Sequence, residues 1–440
     1  MERYIRLITA VLLIIIIGYG SYCHAEETDL YPPAKLVVPM LRISLDTSPQ
    51  FNNIPHIKSP LTAENTFVSD TASVSNLPGG QASSDDYTLF SNKSDARKLQ
   101  VKTIYETHGF NKVVEGYLDF YSKKYKGKFI EQLRRSGQYL EIMAKIFRVR
   151  NLPEELVFLP LIESGFNMHA YSPKKAAGPW QFIPGTATRY GLEINWWVDE
   201  RRDPVKSTIA AAEYLSDLYG MFGTWNLALA AYNAGEGKIL KAIKRTNSND
   251  FWTLRNTKHI KRETKNYVPS YIAATAIALD PESFGLENIA YHTPLEYDEV
   301  VIDSPITLAA VAKFTDTDIE KIKELNPELR RWCTPPNIPY YTLRIPAGTK
   351  DIFLSNLENA GDDELFYAKF YTVKKGDTIK KISKRFGVPA QAILDLNSLG
   401  KKTGLKAGSK LLIPFNPEKK SPVSNGIKPV RKSKPAKTTA

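Results

Sequence analysis

Cysteine is scarce. The 440 residues contain two, Cys23 and Cys333. If the segment carrying Cys23 is removed, a single thiol remains, which makes neither an internal disulfide nor a cysteine metal cluster; an oxidising compartment is permitted but not exploited. The six histidines, at positions 24, 56, 108, 169, 259 and 292, show no HExxH or other ligand spacing, so neither a metal nor a cofactor is expected. Long hydrophobic runs are also missing. The longest, Leu7 to Ile17, is too short to span a bilayer comfortably but suits the centre of a signal peptide. MERYIR before it is basic, and Cys23-His24-Ala25 ends in a small residue, so residues 1–25 are read as a signal peptide cleaved after Ala25. A lipid anchor on Cys23 is the rival reading, against which Tyr22 is large for its position. Peripheral or lipid attachment to a membrane therefore stays open, and export to the periplasm or cell envelope is the expectation.

Basic charge is present but unevenly spread. The formal net charge is +12, and residues 416–440 hold seven Lys or Arg against one Glu, half of that total. This tail reads as solvated and disordered, with at most a salt-sensitive attraction to anionic polymers. Nucleic-acid binding has no motif to support it. Residues 26–97 are rich in Ser, Asn, Asp, Thr and Pro and bury too little apolar surface to offset the entropy of ordering, so they read as a flexible spacer. At about 150 residues per domain, 440 residues suggest two or three domains.

From Lys98 the pattern is helical. Val113, Tyr117, Phe120 and Tyr121 recur at helical spacing, as do Phe129, Leu133, Tyr139, Ile142, Met143, Ile146 and Phe147, and Arg134 and Arg135 between them read as a solvated turn. Asn151 and Glu154 have capping-box spacing with Pro153 between them, predicting a helix that runs to Glu163 with a kink at Pro160. Residues 156–162, LVFLPLI, are apolar on every side, as in a core helix. Glu163 then sits at the negative end of the helix among apolar walls, and both effects raise a carboxyl pKa, which general-acid chemistry requires. Further on, GPWQF at 178–182 joins a glycine turn to an indole and an amide, a pairing suited to sugar rings. Asp203-Pro204 reads as a helix cap rather than a second acid, with Val205, Ile209, Ala212, Leu215 and Tyr219 as that helix's apolar face. A helix from Trp225 ends in AYNAG at 231–235, and others cover 236–245 and 267–279.

ESGF at 163–166, GPWQF at 178–182, AYNAG at 231–235 and the later Tyr267 resemble, in order and spacing, the motifs of the soluble-lytic-transglycosylase catalytic domain, glycoside hydrolase family 23, over residues 98–285. The resemblance implies a mainly α, lysozyme-like catalytic domain that cleaves between N-acetylmuramic acid and N-acetylglucosamine in peptidoglycan glycan strands. Glu163 would protonate the leaving oxygen and then, as carboxylate, deprotonate the muramic acid C6 hydroxyl, which closes a 1,6-anhydro ring without consuming water. Glycosidases generally use two carboxylates, but substrate-assisted exceptions exist, and the N-acetyl group would here steady the charge at C1. By the same resemblance, Ser164 would steady the Glu163 loop, Gln181 and Asn233 would bind substrate, and Tyr232 and Tyr267 would shape the cleft. Pro179-Trp180 stands where many relatives carry Leu-Met, which bears on the shape of one subsite.

The C-terminal third is different in kind. Residues 369–415 read strand, helix, helix, strand: Tyr371-Thr372-Val373, helices marked by Ile379, Ile382 and Phe386 and by 388–397, then Leu411 to Pro414. This small α+β (βααβ) unit resembles a LysM module, a binder of N-acetylglucosamine polymers. A fainter copy is expected at 299–347, because Ile322 with Leu325-Asn326 echoes Ile393 with Leu396-Asn397 at an offset of 71, and Ile345-Pro346 echoes Ile413-Pro414 at 68. Its inserted loop, 331–341, contains Cys333. With both modules, the domain order resembles the membrane-bound lytic murein transglycosylases of the D type. Two other functions remain open at this point: a hydrolysing muramidase, with Asp199, Glu200 or Asp203 activating water, and a cell-wall-binding protein without activity. Oligomeric state is not legible.

Overall fold

The computed structural model describes residues 94–400 and 404–415. The expected signal peptide, nearly all of the spacer and the basic tail lie outside the described residues.

Four helices come first among the described residues: α1 (Ser94–His108), α2 (Lys112–Asp119), α3 (Lys126–Ser136) and α4 (Leu140–Val149). The Asn111 side chain starts α2 by accepting from the amides of Val113 and Val114, at 3.0 and 3.3 Å. A π-helical turn, Phe120–Lys124, links α2 to α3. Tyr121, Phe129, Leu133, Met143 and Phe147 from the periodic set are buried, whereas Phe120 stays exposed on that turn. A short helix, α5 (Leu159–Glu163), and α6 (Pro184–Arg189) precede the long α7 (Pro204–Phe222); α8 (Trp225–Ala234), α9 (Glu236–Thr246), α10 (Phe251–Arg255) and α11 (Arg262–Leu279) complete the helical domain.

The side chain of Asp203 caps α7, accepting from the amides of Val205 and Lys206 at 2.8 and 2.6 Å. The buried face of α7 keeps Ala212 and Leu215 of the expected set and adds Ser207, Thr208, Ala211, Tyr214, Leu218 and Phe222, while Val205 and Ile209 are half-buried and Tyr219 is exposed and stacks on Trp225 at 4.4 Å. Small residues let neighbouring helices approach closely, and a reading weighted to large side chains misses them. Helix α11 begins at Arg262 rather than Tyr267, because its polar first turn carries no apolar rhythm. From Tyr267 to Leu279 it is buried on nearly every side, as expected of the central rod of a helical core.

Two βααβ units follow. In the first, β1 (Tyr297–Ile302) pairs antiparallel with β2 (Tyr341–Pro346), with α12 (Leu308–Phe314) and α13 (Ile319–Leu325) between them. α14 (Lys350–Asn359) and α15 (Asp362–Leu365) then lead to the second unit, where β3 (Ala368–Thr372) pairs with β4 (Lys410–Pro414) around α16 (Ile379–Phe386) and α17 (Ala390–Leu396). One asparagine does the same work in each. The Asn326 amide donates to the Arg344 carbonyl at 2.7 Å and accepts from the Arg344 amide at 2.9 Å; Asn397 makes both bonds to Leu412, each at 2.7 Å. These residues stand at the two sequence offsets, 71 and 68, that announce the repeat.

The cores differ. The second unit packs around Val373, Ile382, Ile393, Leu411 and Ile413, whereas the first unit's core takes in Trp197 and Val198 from the helical domain. No described helix is long and apolar enough to cross a membrane.

Candidate active site

The approach to Glu163 is built differently from the expected capped helix. Asn151 adopts a left-handed conformation, φ 54°, and both carboxylate oxygens of Glu154 accept from Arg148, at 2.6 and 2.7 Å, so no capping box forms. A 3-10 turn, Glu154–Phe158, precedes α5. Pro160 therefore falls in the first turn of α5, where its missing N–H costs nothing, instead of kinking a longer helix. The Pro160 carbonyl accepts from Ser164 and Gly165 at 3.0 and 2.8 Å, ending the helix directly after Glu163. Gly165 and Phe166 both have positive φ, 60° and 57°; for Phe166 this costs about 1 kcal/mol, offset by its complete burial.

Tyr267, from α11, donates its hydroxyl to Glu163 Oε1 at 2.5 Å. Burial is the largest influence on Glu163 and raises its pKa; the Tyr267 hydrogen bond opposes it, the charge of Glu263 adds to it and Lys174 offsets it slightly, leaving the carboxyl pushed up to about 7. Burial likewise keeps the Tyr267 and Tyr232 phenols protonated. Tyr232, on the last turn of α8, donates to the Trp180 carbonyl at 2.8 Å. Ser164 Oγ donates to the Pro179 carbonyl at 2.9 Å, tying the Glu163 turn to the 178–182 loop. In that loop Gln181 has φ 49° and its amide donates to the Gly178 carbonyl at 2.8 Å. Asn233 accepts from Thr264 Oγ1 at 2.9 Å, joining the end of α8 to the start of α11.

Trp180 overturns its expected role. Its side chain is wholly buried, stacks on Phe147 at 5.6 Å and donates from Nε1 to Thr208 Oγ1 at 2.9 Å. It is a core residue, so it offers no face to a sugar, and the Pro179-Trp180 difference acts on packing beneath the loop. The loop itself is gripped by Arg201, whose Nη1 donates to the carbonyls of Lys175 and Phe182 at 2.7 and 2.9 Å. Gly178 is required here: a Cβ would lie 1.7 Å from the Arg201 carbonyl oxygen, and its φ is 80°.

Sequence reasoning missed Arg135. Instead of lying in a solvated turn, it is half-buried and its Nε donates to the Gly165 carbonyl at 2.9 Å. A basic pair in the last turn of a helix, here α3, carries no local sign of such a partner. The three rival acids are committed elsewhere. Asp199 forms a bidentate pair with Arg201, both bonds 2.8 Å; Glu200 pairs with Lys206 at 2.7 Å and accepts from the Glu193 amide; Asp203 caps α7 and meets Arg344 at 2.5 Å.

The arrangement offers one protonatable carboxyl under a tyrosine hydroxyl, beside a pinned loop. Comparison with known proteins agrees in kind. The transglycosylase SLT domain family matches residues 142–255, the LysM-like domain of lytic transglycosylase MltD matches 296–361, and the LysM domain matches 371–414. The chain is 34% identical over 294 residues to the membrane-bound lytic murein transglycosylase D of two Escherichia coli strains, K12 and CFT073; the match takes in 63% of this chain and 64%, just under two thirds, of each relative. Among solved structures it is similar to the 70 kDa soluble lytic transglycosylase of Escherichia coli, at 20% identity and TM-score 0.31, over 44% of this chain and 32% of that one, a likeness too partial to carry an argument. The chain therefore carries a transglycosylase SLT domain, then an MltD-type LysM-like domain, then a LysM domain.

Proposed function

We propose that the protein is a peptidoglycan lytic transglycosylase, cleaving the glycosidic bond between N-acetylmuramic acid and N-acetylglucosamine without water and leaving 1,6-anhydro ends. One observation carries the reading: Glu163, the carboxyl of the ESGF motif, accepts from the Tyr267 hydroxyl at 2.5 Å in surroundings that push its pKa up to about 7, which brings its acid and base forms within reach near neutral pH. A residue that first protonates the leaving oxygen and then accepts the C6 hydroxyl proton needs both forms to be accessible. Tyr267 donates to Oε1, which supports the carboxylate form once the proton has left. Ser164 would hold the turn, Gln181 and Asn233 would contact sugar, and Tyr232 would support the cleft through the loop.

The hydrolysing alternative needs a water-activating carboxylate. Asp199, Glu200 and Asp203 are each bound in ion pairs with Arg201, Lys206 and Arg344, which argues against that role for any of them. The LysM domain would raise the local concentration of glycan around the site. The similarity to membrane-bound enzymes and the N-terminal sequence support a place in the bacterial cell envelope, with export by a signal peptide to the periplasm. The test is mass spectrometry of muropeptides released from purified peptidoglycan by the protein and by Glu163→Gln. Anhydro-ended products that vanish in the variant are expected. Reducible muramic acid ends would establish hydrolysis, and tight wall binding with no products would leave a binding protein.

A further inference from the structure

The first βααβ unit is joined to the helical domain by more than proximity. Its segment 328–330 pairs as a short antiparallel bridge with 197–199: the Asp199 amide donates to the Glu328 carbonyl at 2.9 Å and the Arg330 amide to the Trp197 carbonyl at 2.8 Å. Beneath that bridge lies a buried group of charges from both sides. Arg344, on β2, pairs with Asp203 at 2.5 Å and approaches Glu299 at 3.6 Å; Glu328 accepts from Tyr341 at 2.7 Å. Asp203, Glu328 and Arg344 are 0%, 2% and 5% exposed. Arg344 and Asp203 are paired directly, while Glu328 Oε2 and Arg344 Nε are buried without a hydrogen-bond partner, so removing Arg344 would leave the Asp203 charge buried and uncompensated.

The bridge continues into the active-site wall. Asp199 is held by Glu328 through its amide and by Arg201 through its carboxylate. Arg201 in turn grips Lys175 and Phe182, the two arms of the loop, while its own carbonyl packs on Gly178. Pro179 on that loop accepts from Ser164, next to Glu163. Every step is a hydrogen bond, an ion pair or a contact that leaves no room for a Cβ.

We infer that the LysM-like unit is a built-in support of the active site, with Arg344 and the 328–330 segment acting as positioning residues for the 171–182 loop rather than as part of a tethered sugar-binding module. Arg344 touches no reacting atom in this scheme. It fixes the start of α7 and the 199–203 turn, and these fix the loop. The inference rests on the proposed reaction only for its kinetic arm.

The test uses the full chain and compares Arg344→Met with Phe353→Ala. Phe353 is a fully buried residue of the same unit, on α14, and serves as a control for general loss of stability. Hydrogen exchange is read at the amides of Ala177 and Gly178, which bond to the Phe182 and Ala170 carbonyls. Exchange at both is expected to quicken about tenfold in Arg344→Met, with little change in Phe353→Ala, and Arg344→Lys should recover part of the protection. With soluble glycan fragments, kcat should fall in Arg344→Met while the pH at which activity is lost stays in place, because Glu163 keeps its own surroundings. Unchanged exchange in a folded Arg344→Met, or equal acceleration in Phe353→Ala, overturns the inference. Should Arg344→Met not fold, Arg344→Gln, which also removes the charge, is judged by the same two criteria. An inactive parent protein would refute the transglycosylase reading and leave the exchange result to decide this one.

Discussion

Asp203 is fully buried and Glu163 half-buried; both are carboxyl groups at helix ends, and they behave in opposite ways. Glu163 closes α5 at its negative end, with a tyrosine hydroxyl as its hydrogen-bond donor, and its pKa is pushed up to about 7. Asp203 opens α7 at its positive end. Burial works against its charge too, but Arg344 and Lys206 outweigh it and hold the carboxyl below its ordinary range. Burial alone therefore does not decide what an acid does. A buried acid at a helix N-terminus with paired cations becomes a fixed structural charge; one at a C-terminus beside a neutral donor stays able to exchange a proton. Glu328 lies between these cases, raised first by burial and then by the charge of Asp203, while Lys206 and Arg344 pull it back.

The largest expected effect comes from taking away the cation that separates the two sites. Arg344→Met leaves Asp203 buried without its partner and should cost about 3–5 kcal/mol at neutral pH, read by denaturant unfolding. Since Asp203 has a depressed folded pKa, its contribution is present above the unfolded value and lost as pH falls through the folded one. The gap between parent and variant should narrow under acid conditions, and a gap that stays constant would mean that the Asp203 charge is not what Arg344 supports.

Glu163→Gln should do the reverse. The folded pKa is above the ordinary value of 4.5, so the parent loses stability as pH rises from there to about 7 and stays penalised above it. Removing the ionisable group should raise stability by about 2–3 kcal/mol at pH 8 and by little at pH 4, while transglycosylase turnover disappears. Equal stability changes at both pH values would show that Glu163 is not held protonated.

A smaller effect is expected for Tyr267→Phe. Loss of its hydrogen bond disfavours the carboxylate, so the pKa of Glu163 should climb further and the alkaline limb of the pH–rate profile should move to higher pH. Turnover should fall about tenfold, in line with one hydrogen bond to a charged group. A limb that moves to lower pH would contradict the geometry. Smallest of all is Asp395→Ala in the second βααβ unit, where a partly exposed carboxylate accepts from Trp197 Nε1 at 3.0 Å. It should cost about 1 kcal/mol or less in thermal unfolding and leave turnover of soluble fragments unchanged. A larger loss would mean that this unit is joined to the body as firmly as the first.

What the sequence by itself determined is what neighbouring residues dictate: helices where apolar residues recur at three and four, the Asp203 cap, the stop after Glu163, and two strand-helix-helix-strand units with matching asparagines. These depend on hydrogen bonds and side-chain contacts within a few residues, so they can be read along the chain. The raised pKa of Glu163 was legible as well, because an otherwise apolar stretch ending in a single Glu sets its carboxyl beside apolar walls. Only the tertiary structure decided the rest. Tyr267 reaches Glu163 across 104 residues and Arg344 reaches Asp203 across 141. The indole of Trp180 turned inward because Phe147 and Thr208 offered it a stack and an acceptor, and Arg135 left the surface because the Gly165 carbonyl lay within reach. A side chain's partners across the fold are set by packing, and no local rhythm records them.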